Sequence, residues 1–383
     1  MLIAAGVLSL LIWGYLLLAR GRFWRIHALA SALPDGQAAR IAVIVPARNE
    51  AEVVGQAVTS LLQQSGPHSL QLFLVDDGSS DGTARVAQNA AKALGQSAAL
   101  TIVESQPLPP GWSGKLWALQ QGVERAREFQ PDYFMCTDAD IVHAPENVSR
   151  LVAIARSENC DLASFMVKLH CESAAEKFLV PAFVFFFFKL YPPAWVANAR
   201  RTDAGAAGGC LLVRPAALQA AGGIAAIRHE VIDDCALAVR IKHSGGRLWL
   251  GATDTARSIR PYRGFSDVGS MISRTAFNQL RHSVLLLLLA TIGMALTYLL
   301  PPALTLFSHH LGPEILGGTA WLLMSLSFIP ILRMYRLNPL WSLALPLIAL
   351  FYMGATFHSA WKYCSGRGGE WKGRVQDPVR EQR

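Results

Sequence analysis

Apolar positions along the chain fall into three kinds of run. Short β-branched runs come first: Ile41 to Pro46, Leu70 to Val75, Leu100 to Glu104 and Tyr133 to Cys136 read as buried strands. Between the first two, Val53, Val54, Ala57, Val58, Leu61 and Leu62 recur at helical spacing. Strand, helix, strand, helix with short connections predicts a parallel α/β sheet, whose ligands sit at the carboxyl ends of the strands. Further on, Ala163 to Leu169 reads as a strand, and Ala204 to Arg214 as a glycine-bearing loop running into another. A helix through Ala236 to Ile241 is stopped by Gly245-Gly246.

The long runs are of a different kind. Leu2 to Ala19 is almost wholly apolar and is followed by Arg20, Arg22 and Arg25. A signal peptide carries its charge before the apolar run, so this order predicts an uncleaved anchor with its C-terminal end in the cytoplasm. Val284 to Phe307, Ile315 to Leu332 and Leu340 to Trp361 are three candidate membrane helices. Phe178 to Tyr191, with Phe185 to Phe188 in a row, is short for a span and is expected to lie in the membrane interface. A core helix of the catalytic part is the other reading. The expected division is 1–38, anchor and linker; 39–265, catalytic domain with an interfacial helix near 178–195; and 266–383, an interface segment, membrane helices and a basic tail. Three crossings would strand that tail outside, so one segment is expected to be re-entrant, broken at Pro301-Pro302 or Pro330, or interfacial.

Composition agrees with membrane contact. Of 383 residues 52% are hydrophobic and 16% charged, too apolar for most soluble enzymes. The net charge of +8 suggests nucleic acid at first sight. Many of the basic residues instead flank apolar runs, as at Arg281, Arg333, Arg336 and Lys362, and no nucleic-acid motif is present. The six cysteines form no CxxC and no zinc spacing, which suits a reducing, cytosol-facing domain.

The chemistry gathers where the short runs end. Asp138 and Asp140 follow a strand at i and i+2, so both carboxylates are expected to reach one point beyond the sheet edge. A hard cation such as Mg2+ or Mn2+ suits that place; an Asp-rich turn is the bland alternative. Asp76 and Asp77 end the second strand. Lys115 opens a helix where its ammonium could meet a phosphate, although a solvated lysine is commoner. Gly208 and Gly209 allow close backbone approach to a ligand or a tight turn. Asp233 and Asp234 precede a helix, and Asp233 could be its N-cap. Acids in three separated places suit a metal-bound nucleotide diphosphate: one set for the nucleoside, one for the metal, one free as a base.

Taken in order, Pro46-Ala-Arg48-Asn-Glu50, Asp76-Asp77-Gly-Ser-Ser-Asp81-Gly-Thr83, Thr137-Asp-Ala-Asp140 and Asp233-Asp234 resemble the motifs of family-2 glycosyltransferases with a GT-A fold. The resemblance covers roughly residues 40 to 265. It implies a Rossmann-like α/β domain and a nucleotide-sugar donor, usually UDP-linked, bound through Pro46, Arg48, Glu50, Asp76, Asp77, Lys115 and Asp138. It also implies a metal at Asp140 with Asp138, and Asp234 as the base of an inverting transfer. Members usually have Glu-Asp where this chain has Asp233-Asp234. A further family motif, (Gln/Arg)-x-x-Arg-Trp, is nearest to Asn278-Gln-Leu-Arg281-His282, and the missing Trp counts against a processive polysaccharide synthase. With Gly208 and Gly209, Asn278, Arg281 and His282 would lie on the acceptor or diphosphate side. The whole chain most resembles the hopene-associated glycosyltransferases of bacteria, with carotenoid and ceramide glycosyltransferases more distant. That resemblance implies a multi-pass protein of the bacterial inner membrane, catalytic domain in the cytoplasm, moving sugar to a membrane lipid. A nucleotidyltransferase, which would release pyrophosphate, and a non-catalytic membrane partner are the rival readings.

Overall fold

The computed structural model describes residues 2–25 and 36–369. Helix α1 (Leu2–Leu18) precedes β1 (Arg40–Ala47), α2 (Val54–Leu62), β2 (Ser69–Asp76), α3 (Thr83–Ala93), β3 (Leu100–Glu104), α4 (Gly114–Ala126) and β4 (Tyr133–Cys136). Then come β5 (Ile141–His143), α5 (Asn147–Ser157), β6 (Leu162–Lys168), α6 (Ala174–Leu190) and a short α7 (Pro193–Val196). After them follow β7 (Leu211–Val213), α8 (Pro215–Ala220), α9 (Asp233–His243) and β8 (Leu248–Ser258). The C-terminal part is helical: α10 (Phe265–Gln279), α11 (Val284–Met294), α12 (Leu300–Phe307), α13 (Leu311–Met334) and α14 (Leu345–Cys364). The basic tail beyond residue 369 and most of the linker near Pro34 lie outside the described residues.

The strands form one eight-stranded sheet in the order β3-β2-β1-β4-β7-β6-β8-β5. It is mixed, where the sequence predicted a parallel one. The first four strands are parallel, but β7 runs antiparallel to β4 and β6, and β5 antiparallel to β8. Ile41 through Ala47 are all buried because helices cover both faces of β1. Ile41, Val43 and Val45 meet Val54, Val58 and Leu61 on one side. Ala42 and Ile44 meet Leu116, Leu119 and Val123 on the other. Gly122 lets α4 approach that closely, since a Cβ there would lie 2.5 Å from Ile44 Cγ2. The register pairs Ala47 with Asp76 and Ile44 with Cys136, so β1, β2 and β4 end on one edge.

Four helical stretches are long and apolar enough to cross a membrane: Ala174–Val196, Val284–Phe307, Leu311–Met334 and Pro339–Cys364. The first is longer than the phenylalanine run suggested from sequence. Helix α6 starts earlier, at a Ser173–Glu176 capping box, and is deeply packed. Phe185 and Phe188 are fully buried, and Phe185 meets Phe23 and Phe328 at 5.3 and 5.2 Å between ring centres. The prolines do not break their helices either. Val284–Phe307 continues through a π-turn at Ala295–Leu299 just before Pro301-Pro302, and α13 runs on through Pro330. Helix α1 packs on this bundle, with Trp13 Nε1 donating to the Thr297 carbonyl (2.9 Å).

Helix α14 lies lengthwise along the catalytic part. Before it, Trp341 meets Phe178 of α6 (6.0 Å). Midway, Tyr352 Oη donates to the Leu179 carbonyl (2.9 Å) and Phe351 meets Phe265 of α10 (6.1 Å). Near its end, Ser359 Oγ accepts from Phe277 N (3.0 Å) and Tyr363 stacks on His282 (3.9 Å).

Candidate active site

Strand β4 stops at Cys136, and Thr137 to Asp140 leave the sheet as a turn. The strand alternation that would aim both carboxylates at one point therefore does not hold. Asp138 faces Lys115, whose Nζ lies 3.1 Å from Oδ1. Asp140 accepts from Ser258 Oγ (2.8 Å) and pairs with Arg260 Nε (3.3 Å). The same guanidinium pairs with Glu50, so Arg260 bridges the loop after β1 and the turn after β4. Among the described residues no group of three or more His, Cys, Asp or Glu side chains stands ready to hold a metal ion. Asp138 and Asp140 do line one cavity, and two carboxylates suit a cation whose remaining ligands are phosphate oxygens.

The later acid pair opens α9. Its N-cap is Ile232, so Asp233 is not the cap but lies inside the first turn with Asp234. Asp233 reaches across to Lys115, with Oδ2 3.2 Å from Nζ. Burial disfavours the Lys115 ammonium, but Asp138, Asp233 and Asp234 outweigh it and hold the lysine charged. Asp234 accepts from the backbone N–H of Gly208 and of Cys235, both at 2.7 Å. Gly208 eases that approach, because a Cβ there would stand 3.3 Å from Asp234 Oδ2. Burial, with Asp233 beside it, pushes the Asp234 carboxyl up to about 6. Burial raises Asp138 as well, against the pull of Lys115.

A buried polar chain fixes the two loops beneath these acids. Thr137 Oγ1 donates to the Gly209 carbonyl (2.7 Å) and lies 3.0 Å from His143 Nε2. His143 Nδ1 lies 3.0 Å from Asn147 Nδ2, and Asn147 Oδ1 accepts from Thr255 (2.7 Å). Burial pulls His143 down to about 3, so the ring is neutral. The partners then assign its proton to Nε2, donated to Thr137.

Around these groups is a cavity of about 730 Å³. Pro46, Glu50, Lys115, Asp138, Asp140, Gly208, Gly209, Asp233 and Asp234 all line it. Arg48, Asp76 and Asp77 sit beside it at the same sheet edge. Asp77 is buried and pairs with Arg48 (3.4 Å), while Asp76 accepts from Ser79 N (2.9 Å). Arg48 Nε is buried with no hydrogen-bond partner, a donor that a nucleoside could satisfy. Asn278, Arg281 and His282 are not brought to this cavity. Asn278 and Arg281 line a separate one of about 680 Å³ beside Cys235 and Arg240, and His282 is stacked on Tyr363. Earlier turns of the same helix take their place: Ser270, Met271, Ser273 and Arg274. Sequence reasoning also missed Arg260 and Tyr262, which line the cavity too, together with Phe183 of the phenylalanine run. A lone Arg before Pro261 carries no motif, and its partner Glu50 is 210 positions away.

Residues 42–220 match the family described as glycosyl transferase family 2. A 105-residue segment is 34% identical to 4,4'-diaponeurosporenoate glycosyltransferase of Staphylococcus aureus. That segment is 27% of this chain, and it spans only about a quarter (25%) of the curated relative. Among solved structures, a mannosyltransferase of Pyrobaculum calidifontis in complex with GDP-Man and Mn2+ superposes with a TM-score of 0.55. It is 18% identical, over 94% of this chain and 99% of the other. Residues 42–220 thus match the glycosyl transferase family 2 domain, and the fold is GT-A, joined to helices long and apolar enough to cross a membrane.

Proposed function

We propose that this protein is an inverting glycosyltransferase that moves a sugar from a nucleotide donor, UDP-linked, to a hydroxyl group of a membrane lipid. The observation that carries the reading is Asp234, a half-buried carboxylate with its affinity for protons raised, lining one cavity with Asp138 and Asp140. The acceptor oxygen bonds to the sugar's anomeric carbon, the bond to the diphosphate breaks, and Asp234 takes the hydroxyl proton. Asp138 and Asp140 would hold Mg2+ or Mn2+, which when bound stabilises negative charge on the diphosphate. Lys115 and Arg260 present their charges to the same end of the cavity. The Arg48–Asp77 pair and Asp76 are positioned for the nucleoside. A lipid acceptor is supported by the wall of Phe183, Phe187, Met166 and Leu169, and by the carotenoid-acid acceptor in the name of the Staphylococcus relative. A hopanoid is the acceptor favoured by the sequence resemblance, with a carotenoid or ceramide-like lipid as the second reading.

The membrane arrangement follows from α14. Since it lies along α6 and α10 with both ends on the catalytic part, it is the interfacial segment. Helices α1, α11–α12 and α13 then cross, leaving the cavity and the tail in the cytoplasm of the inner membrane. Purified protein offered a panel of nucleotide sugars and a bacterial lipid extract tests the whole reading. Glycolipid and free nucleoside diphosphate should appear together. Release of pyrophosphate instead would mark a nucleotidyltransferase.

A further inference from the structure

Two sets of cations face the cavity. The inner set, Lys115 and Arg260, is held by carboxylates. The outer set is Arg274 on α10 with Lys362 and Arg367 at the end of α14. Arg274 and Arg367 are exposed and Lys362 is half-buried. Among the described residues none of these three has a carboxylate partner. Asp267, the acidic residue on that wall, is turned to its own helix start and accepts from Arg263 N (3.0 Å). Three like charges on the lining of one cavity, Arg367 of them lying over the Trp361 ring, add to a positive potential there. The donor diphosphate belongs at the inner end, beside Asp138 and Asp140. A bias of basic residues toward the cytoplasm explains charge at the membrane surface, but not its convergence on the cavity.

We infer that the acceptor's head carries a phosphate or carboxylate beside the attacked hydroxyl, gripped by Arg274, Lys362 and Arg367, with its hydrocarbon along Phe183, Phe187 and Met271. The inference rests on the lipid-acceptor reading above and narrows it. The anion takes no part in the bond changes. The hydroxyl oxygen gains the sugar, the nucleoside diphosphate leaves with the bonding electrons, and the proton goes to Asp234. The anion's work is to hold the hydroxyl in reach.

Titration of the detergent-solubilised full chain with single-chain amphiphiles tests this. Dodecyl phosphate and dodecanoate supply the two anions, 1-dodecylglycerol is the neutral control, and inorganic phosphate tests for a simple ion site. Each anionic amphiphile should bind about tenfold or more tighter than dodecylglycerol, the worth of one good charge contact. Arg274→Ala and Lys362→Ala should each weaken that binding by about the same factor. Arg274→Lys and Lys362→Arg should keep it, which a packing role would not predict. Equal or tighter binding of dodecylglycerol overturns the inference. So does equal loss in the charge-preserving and alanine variants, or competition by inorganic phosphate as strong as by dodecyl phosphate. If the preference holds while no lipid receives sugar from any donor, the anion site stands and the proposed reaction falls.

Discussion

At the residue scale, the proposed mechanism makes Asp234 set the pH behaviour. A carboxylate base works ionised, and this one gains its proton near pH 6. Catalytic efficiency should therefore fall about tenfold per unit as pH drops below about 6, and a pH–rate profile checks it. The same shift bears on stability with the opposite sense. The neutral form's contribution is complete below the ordinary carboxylate value of 3.8 and is lost as pH rises through about 6. Asp234→Asn should cost about 10²- to 10⁴-fold in rate, and proton NMR of the product should show inverted anomeric configuration with the wild type. Asp140→Ala should abolish turnover while leaving the circular dichroism spectrum unchanged, and EDTA should silence the wild type. Full activity in EDTA would remove the metal from the scheme. These acids were readable because each follows an apolar run. Arg260 was not, since its position depends on the way β8 returns beside β6 and β5.

At the element scale, α6 separates two roles that one phenylalanine run concealed. Phe185 is locked between Phe23 and Phe328, so Phe185→Ala should destabilise the protein by about 3–5 kcal/mol. Thermal unfolding in detergent measures it. Phe187 lines the cavity, so Phe187→Ser should raise the acceptor KM with a smaller change in melting temperature. Equal behaviour of the two variants would remove the distinction. The run's apolar character was plain from sequence, but which residues face a packed neighbour depends on α13 and the turn after α1, far away in the chain. The sheet shows the same division. Strands β1 to β4 were legible from their β-branched runs and helical spacers. The reversal at β7 was not, because a strand of Leu211–Val213 is too short to carry a period.

At the scale of the whole molecule, the long apolar segments could be located from sequence but not counted as crossings. Length and hydropathy are the same for a helix that spans and for one that lies along a domain. The contacts of α14 with α6 and α10, on which the proposed arrangement rests, are tertiary. We expect Cys364, an exposed thiol near the end of α14, to react with a membrane-impermeant maleimide only in inside-out vesicles. Labelling of intact spheroplasts would overturn the arrangement. The course of α14 also has a consequence for biosynthesis. Lys362 and Arg367, part of the cavity wall, are made after the sheet and the other described helices. A chain that has reached Arg260 holds Asp138, Asp140, Asp234 and the whole sheet, while that part of the wall is still missing. The cavity is therefore whole only once α14 has been made and has docked.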